Sequence, residues 1–297
     1  MCLAVLSLQP DCEWRWVIVA NRDEAHTRPS ADMQPWQQAP SILAGRDLKA
    51  GGSWLGICND GRFALLTNYR EPGRQRADAT SRGHLVEQFL TRQEDAQSYL
   101  QTLASRASQY NGFNLLLGHG ADWFHASNRA DVFSRRINPG TYGLSNALFD
   151  TPWPKVLRTR QAVERQLHQG GTTRDLSVLL SDPGTSKLSH DLPDLLSNIF
   201  SDNHPAPDEA LPDTGIGLER ERMLSSPFIV SPAYGTRCTT VVMQHSDGHL
   251  LAQETTYWPD GTERSKSRWS SHHFNCHPAL GSSGLNTARG NEWTRVY

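Results

Sequence analysis

Cys2 stands directly behind the initiator methionine, a place that gives it a chemistry no internal cysteine has. Small residues at position two generally permit removal of Met1. The thiol and a free α-amine then sit on one residue. An α-amine titrates near ~8 and a free thiol near ~8.5, so around neutral pH the unprotonated amine is available to take the thiol proton. One residue becomes both nucleophile and base, the arrangement used by amino-terminal threonine. Asn21-Arg22-Asp23-Glu24 follow directly on an apolar strand. In a tight hairpin their carboxylate would position the amine of Cys2, and an asparagine amide would donate to a developing oxyanion. Asn68 and Asn146 each close a short strand with a polar side chain, and Arg237, ahead of an apolar strand, suits a carboxylate or a substrate acid.

The elements that must carry these groups can be read from periodicity. Residues 3–8 and 14–20 are apolar runs separated by Gln9-Pro10-Asp11, which predicts a hairpin with Cys2 at the mouth of a strand. Residues 54–57 and 63–67 flank Asn59-Asp60-Gly61, a strong signal for a second hairpin. From Ser81 the spacing of Leu85, Val86, Phe89, Leu90, Tyr99, Leu100 and Leu103 is helical. Strand character returns at 113–117, 123–126 and 132–137. Helices are predicted at 155–167, 175–180 and 192–200, and further strands at 239–244 and 250–256. Hairpins in blocks, then helices in blocks, favour antiparallel sheet covered by helices over a parallel βαβ sheet. The proline-rich, acidic stretch 201–217 reads as a surface loop, and the polar, glycine-rich residues 275–297 as a disordered tail, leaving 1–274 as a single domain.

These blocks, taken in order, resemble the NRDE family, the transport and Golgi organisation protein 2 homologues. The resemblance runs through Met1-Cys2-Leu3, Ala20-Asn21-Arg22-Asp23-Glu24, Arg28-Pro29-Ser30 and Gly51-Gly52-Ser53-Trp54-Leu55-Gly56. It continues through Leu66-Thr67-Asn68-Tyr69, Tyr110-Asn111-Gly112-Phe113-Asn114-Leu115, Gly140-Thr141-Tyr142-Gly143-Leu144-Ser145-Asn146 and Tyr234-Gly235-Thr236-Arg237. The resemblance implies an α+β fold, a four-layer αββα sandwich of two antiparallel sheets between helical layers, as in N-terminal-nucleophile hydrolases. At a lower level the chain is similar to the bile-salt hydrolases and penicillin V acylases. By that similarity Cys2 is the nucleophile and Asp23 the carboxylate that orients its amine. Asn68 and Asn146 match the two active-site asparagines, the former contributing to the oxyanion hole, and Arg237 matches a late active-site arginine. Those enzymes have an arginine three residues before the aspartate, where this chain has Ala20. Arg22 instead adjoins Asp23 and would point to the opposite face of a continuing strand. Asn21 and Arg22 are expected to serve binding.

Composition bounds the rest. The chain has 297 residues, 37% hydrophobic and 20% charged, with a formal net charge of -2, so it can bury a large core and presents no basic face for nucleic acid. No apolar run approaches the ~18 residues of a membrane-spanning helix, and neither a signal peptide nor a lipidation motif is visible, so the cytoplasm is the expected location. Five irregularly spaced cysteines cannot all pair within one chain, which fits free thiols in a reducing compartment. The cluster His272-His273-Phe274-Asn275-Cys276-His277 has metal-binding residue types, yet it falls in the tail and is read as a chance grouping, with no metal site expected. The expected partner is a small molecule and no cofactor is required. The expected activity is hydrolysis or acyl transfer on a small non-peptide amide or thioester. The family resemblance also implies an alternative, the intracellular carriage of haem, acyl-CoA or lipid in the same cleft without catalysis, with haem as cargo.

Overall fold

The structure is a computed structural model that describes residues 2–169, 192–272 and 292–296. Among these residues fourteen strands build two seven-stranded antiparallel sheets. The first runs β10(Gly140–Leu144)-β1(Cys2–Leu8)-β2(Trp14–Ala25)-β11(Tyr234–His245)-β12(His249–Tyr257)-β13(Glu263–His272)-β14(Thr294–Val296). The second runs β3(Ser30–Trp36)-β4(Ala39–Asp47)-β5(Leu55–Cys58)-β6(Phe63–Asn68)-β7(Phe113–His119)-β8(Asp122–Ser127)-β9(Ser134–Arg136).

Strand alternation explains why the apolar runs are unbroken. On β1 and β2, Ala4, Leu6, Trp16, Ile18 and Ala20 meet the second sheet, joining Leu55, Phe63 and Leu65. Leu3, Val5, Val17 and Val19 face the other way, onto Val156 and Val163 of α3(Pro154–Gln169) and Leu196 of α4(Leu192–Ile199). The second sheet is covered on its outer face by α1(Gly83–Thr91) and α2(Ala96–Ala104), through Leu85, Val86, Phe89, Tyr99, Leu100 and Leu103. Both faces of each sheet are therefore buried, so the strands read as runs and not as alternation. The α2 amino terminus is fixed by Asp95, which accepts from the Ser98 N–H at 2.8 Å. The result is the αββα sandwich, with a fifth helix, α5(Leu218–Leu224), in the connection back to β11.

Several expectations change. β2 does not end at Ala20 but runs through Ala25, because β11 pairs along its whole length and supplies Thr236 and Thr239 hydroxyls to the polar residues. The hairpin β3–β4 has no counterpart in the apolar pattern: β3 is an edge strand carrying Pro35 and two register irregularities. β13, largely polar, pairs with β12 through nine residue pairs. The tail reading does not extend to its end, since Thr294–Val296 pairs with β13 and Trp293 is buried between the sheets, its indole N–H donating to Ser41 O at 2.8 Å. The predicted helix at 175–180 and residues 273–277 of the histidine cluster lie outside the described residues. No helix of the described residues is long and apolar enough to cross a membrane.

Candidate active site

Cys2 opens β1 directly opposite Arg22 of β2, so both side chains belong to the face turned toward the second sheet. Arg22 lies with its guanidinium 4.2 Å from the centre of the Trp54 ring, and its one described hydrogen bond, to Ser30 Oγ, is long at 3.5 Å. Asp23, the next residue, faces the helical layer and is fully buried. Its Oδ1 accepts from the Thr236 hydroxyl at 2.7 Å, and its carbonyl accepts from the Tyr234 hydroxyl at 2.9 Å. Arg22 and Asp23 thus occupy opposite faces of one strand, with Cys2 beside both.

Burial pushes the partly buried Cys2 thiol up, and the Asp23 charge adds to this. The Arg22 guanidinium and a hydrogen bond from the Asp23 backbone act against it. Burial likewise pushes the Asp23 carboxyl up, opposed first by Lys155. Lys155 stands in the first turn of α3, 2% exposed, and burial lowers its ammonium to about 8.

The two asparagines are joined to each other. Asn146 donates from Nδ2 to the Asn68 carbonyl at 2.8 Å, and its own carbonyl accepts from Arg70 N at 2.7 Å. The Asn68 side-chain amide makes no hydrogen bond among the described residues. Beside them Thr67 donates to the Ser145 carbonyl at 2.6 Å, and Ser145 Oγ donates to the Cys2 carbonyl at 3.0 Å. These bonds tie the end of β6, in one sheet, to the start of β1, in the other.

Asn21 is placed differently. Its amide donates to Phe200 O and Pro227 O, each at 2.9 Å, and accepts from Thr239 at 2.6 Å, which anchors the chain after α4 and the approach to β11. Arg237 sits on the β11 bulge, with Nη1 2.8 Å from His26 Nδ1. The other His26 nitrogen is 2.9 Å from Ser231 O, so the tautomer that donates there leaves Nδ1 to accept from Arg237. Burial lowers Arg237, and Arg22 and Arg264 add like charge, so Arg237 neighbours Arg22. Cys2, Arg22, Asp23, Asn68 and Asn146 therefore meet at one end of the sandwich, with Arg237 adjoining through Arg22.

Sequence reasoning missed Lys155, Arg70, Ser145 and Tyr234. Arg70 forms a buried ion pair with Glu221 of α5 at 2.7 Å and lies 4.7 Å from the centre of the Trp153 ring. A signal for Lys155 was present: with Thr159 and Val163 it forms an i, i+4, i+8 stripe on the apolar face of a helix, where a lysine is out of place. Among the described residues no group of three or more His, Cys, Asp or Glu side chains is arranged to hold a metal ion.

The fold and site define an αββα sandwich with a cysteine at the mouth of an inner strand, flanked by a buried carboxylate and paired asparagines. The family model described as Transport and Golgi organisation 2 matches residues 1–259, and the chain belongs to that family. It is 36% identical over 273 residues to the human transport and Golgi organization protein 2 homolog, covering 86% of this chain and 92% of that one. It is 32% identical over 288 residues to the Mus musculus homolog, covering 92% and 98%. Among solved structures, the C2A mutant of the conjugated bile acid hydrolase from Clostridium perfringens matches with TM-score 0.41 at 10% identity, over 100% of this chain and 97% of that one. The Caenorhabditis elegans N-acylethanolamine-hydrolyzing acid amidase ortholog matches with TM-score 0.37 at 11% identity, over 63% and 89%.

Proposed function

We propose that this chain, once it begins at Cys2, is an N-terminal-nucleophile amidohydrolase or acyltransferase acting on a small non-peptide amide or thioester. The observation that carries the reading is the juxtaposition of Cys2 with Arg22 across the β1–β2 pair and with buried Asp23 beside it. The α-amine of Cys2, held by Asp23, takes the thiol proton, and the thiolate attacks the substrate carbonyl. The Asn68 amide and a backbone N–H receive the oxyanion, with Asn146 fixing Asn68 through its carbonyl. The amine then passes the proton to the leaving nitrogen or sulfur as the carbon–heteroatom bond breaks, leaving an acyl thioester on Cys2. Water or an acceptor nucleophile releases the acyl group and restores the thiol.

Intact mass of the purified protein before and after a cysteine-directed acyl probe tests this reading. The expected result is a chain beginning at Cys2 that gains one acyl group, with the gain lost in Cys2→Ala. A processed chain that takes no label, or labelling that persists in Cys2→Ala, would overturn it. A second reading is carriage of haem or an acyl-CoA without catalysis; burial raises the Cys2 thiol, which weighs against a resting thiolate. An inert Cys2 together with saturable haem binding in the same sample would support carriage.

A further inference from the structure

Lys155 is a charged side chain that the fold buries almost completely, and its Nζ meets no hydrogen-bond partner among the described residues. An ammonium in such a place is costly unless an anion compensates it. Its helix is brought down hard on the sheet. At Gly143 of β10 a Cβ would lie 2.3 Å from Val156 Cγ1, so the first turn of α3 rests on β10 beside the start of β1. The charged and titratable groups whose fields reach Lys155 are Asp23 from β2, Arg70 after β6, Cys2 from β1 and Glu221 from α5. Glu221 is already engaged by Arg70 at 2.7 Å and by the Thr214 N–H and hydroxyl. Asp23 lies on the same, helix-covered face of the sheet and is the anion whose field acts most strongly on Lys155, through space and without direct contact.

We propose that Lys155 is a positioning residue for the Cys2 nucleophile: its buried ammonium holds Asp23 as a carboxylate, the form that accepts a hydrogen bond from the α-amine of a chain beginning at Cys2. The proposal rests on the nucleophile reading given above. Burial alone drives Asp23 toward its neutral acid and Lys155 toward its neutral amine, and each charge opposes the other's loss. With Lys155 titrating at about 8, its ammonium is present at neutral pH and is lost on the alkaline side. Lys155 touches no substrate in this scheme and acts through Asp23.

The test is the rate of iodoacetamide labelling at Cys2, followed by peptide mass from acid to alkaline pH, in full chains whose amino terminus is shown by intact mass to be Cys2. Lys155→Met is expected to slow labelling at neutral pH about tenfold, the equivalent of one pKa unit, and to move the profile toward higher pH. Lys155→Arg is expected to keep the wild-type rate at neutral pH and, because a guanidinium stays charged, to differ from wild type only on the alkaline side. In an Asp23→Asn background, which also relieves the folding burden of an uncompensated carboxylate, Lys155→Met is expected to add nothing. A folded Lys155→Met chain with the wild-type profile would overturn the proposal, as would a full tenfold effect persisting in the Asp23→Asn background, since Lys155 would then act on the thiol directly. A Cys2 that is inert in the wild-type chain would remove the nucleophile reading itself.

Discussion

Arg22 and Glu254 show how differently single buried charges are handled in this core. No carboxylate lies within ion-pair distance of Arg22 among the described residues. It is held by Trp54 and by its place opposite Cys2, where its field favours the thiolate. Glu254, 2% exposed on β12, accepts from the Met33 N–H at 2.6 Å and from the Thr240 hydroxyl at 3.4 Å, with Cys238 beside it. Burial pushes its carboxyl up to about 7. The folded state then binds a proton that the unfolded chain releases from its ordinary value of 4.5 upward, so this group costs stability progressively as pH rises from there to about 7. Glu254→Gln is accordingly expected to stabilise the protein by roughly 2 kcal/mol at pH 8 and to have little effect at pH 4. Denaturant unfolding at the two pH values checks this, and an equal effect at both would show that Glu254 does not titrate in that range.

At the level of elements, α5 is joined to the site by one buried ion pair. Arg70 and Glu221 are 5% and 4% exposed, so removing one partner strands the other in the interior. Glu221→Gln is expected to cost about 3 kcal/mol, and Arg70→Met/Glu221→Met much less than the sum of its parts. A double-mutant cycle by chemical denaturation measures the coupling, and additive effects would mean that the pair is not closed in solution. The elements most legible in the sequence were those with an unambiguous local signal. The Gln9-Pro10-Asp11 and Asn59-Asp60-Gly61 turns, and the stripe of Leu85, Val86, Phe89 and Leu90, each gave the element that is found. Glycines were legible as motif and not as cause. Gly52 is small because a Cβ there would lie 2.3 Å from the backbone of Gly83, where α1 begins. β3, β13 and β14 were hidden because edge position, proline and polar composition remove the apolar signal while the neighbouring strand still supplies the hydrogen bonds. At the site, Cys2, Asp23 and the asparagines were legible as motif residues. Arg70 and Lys155 were not, because the charges around them, Glu221 and Asp23, lie more than a hundred positions away in the chain.

Taken whole, the molecule is three apolar layers clamped by a few polar bonds between sheets. Trp293 contributes to the middle layer, packing with the first sheet's core while its indole bonds to Ser41 at the start of β4. Trp293→Ala is expected to lower stability by about 3 kcal/mol, measured as a loss of unfolding free energy with the transition remaining single. A variant as stable as wild type would show that the last strand only decorates the sheet. The order of the first sheet places β1 second from one edge and β14 at the other. Five strand spacings separate them, about 24 Å at the usual interstrand distance. A purification handle or fluorophore carried beyond β14 would consequently leave Cys2 uncovered, whereas the same handle ahead of Cys2 would occupy the amine that the proposed mechanism uses. On that proposal, one end of the first sheet is open to attachment while the other has to stay bare.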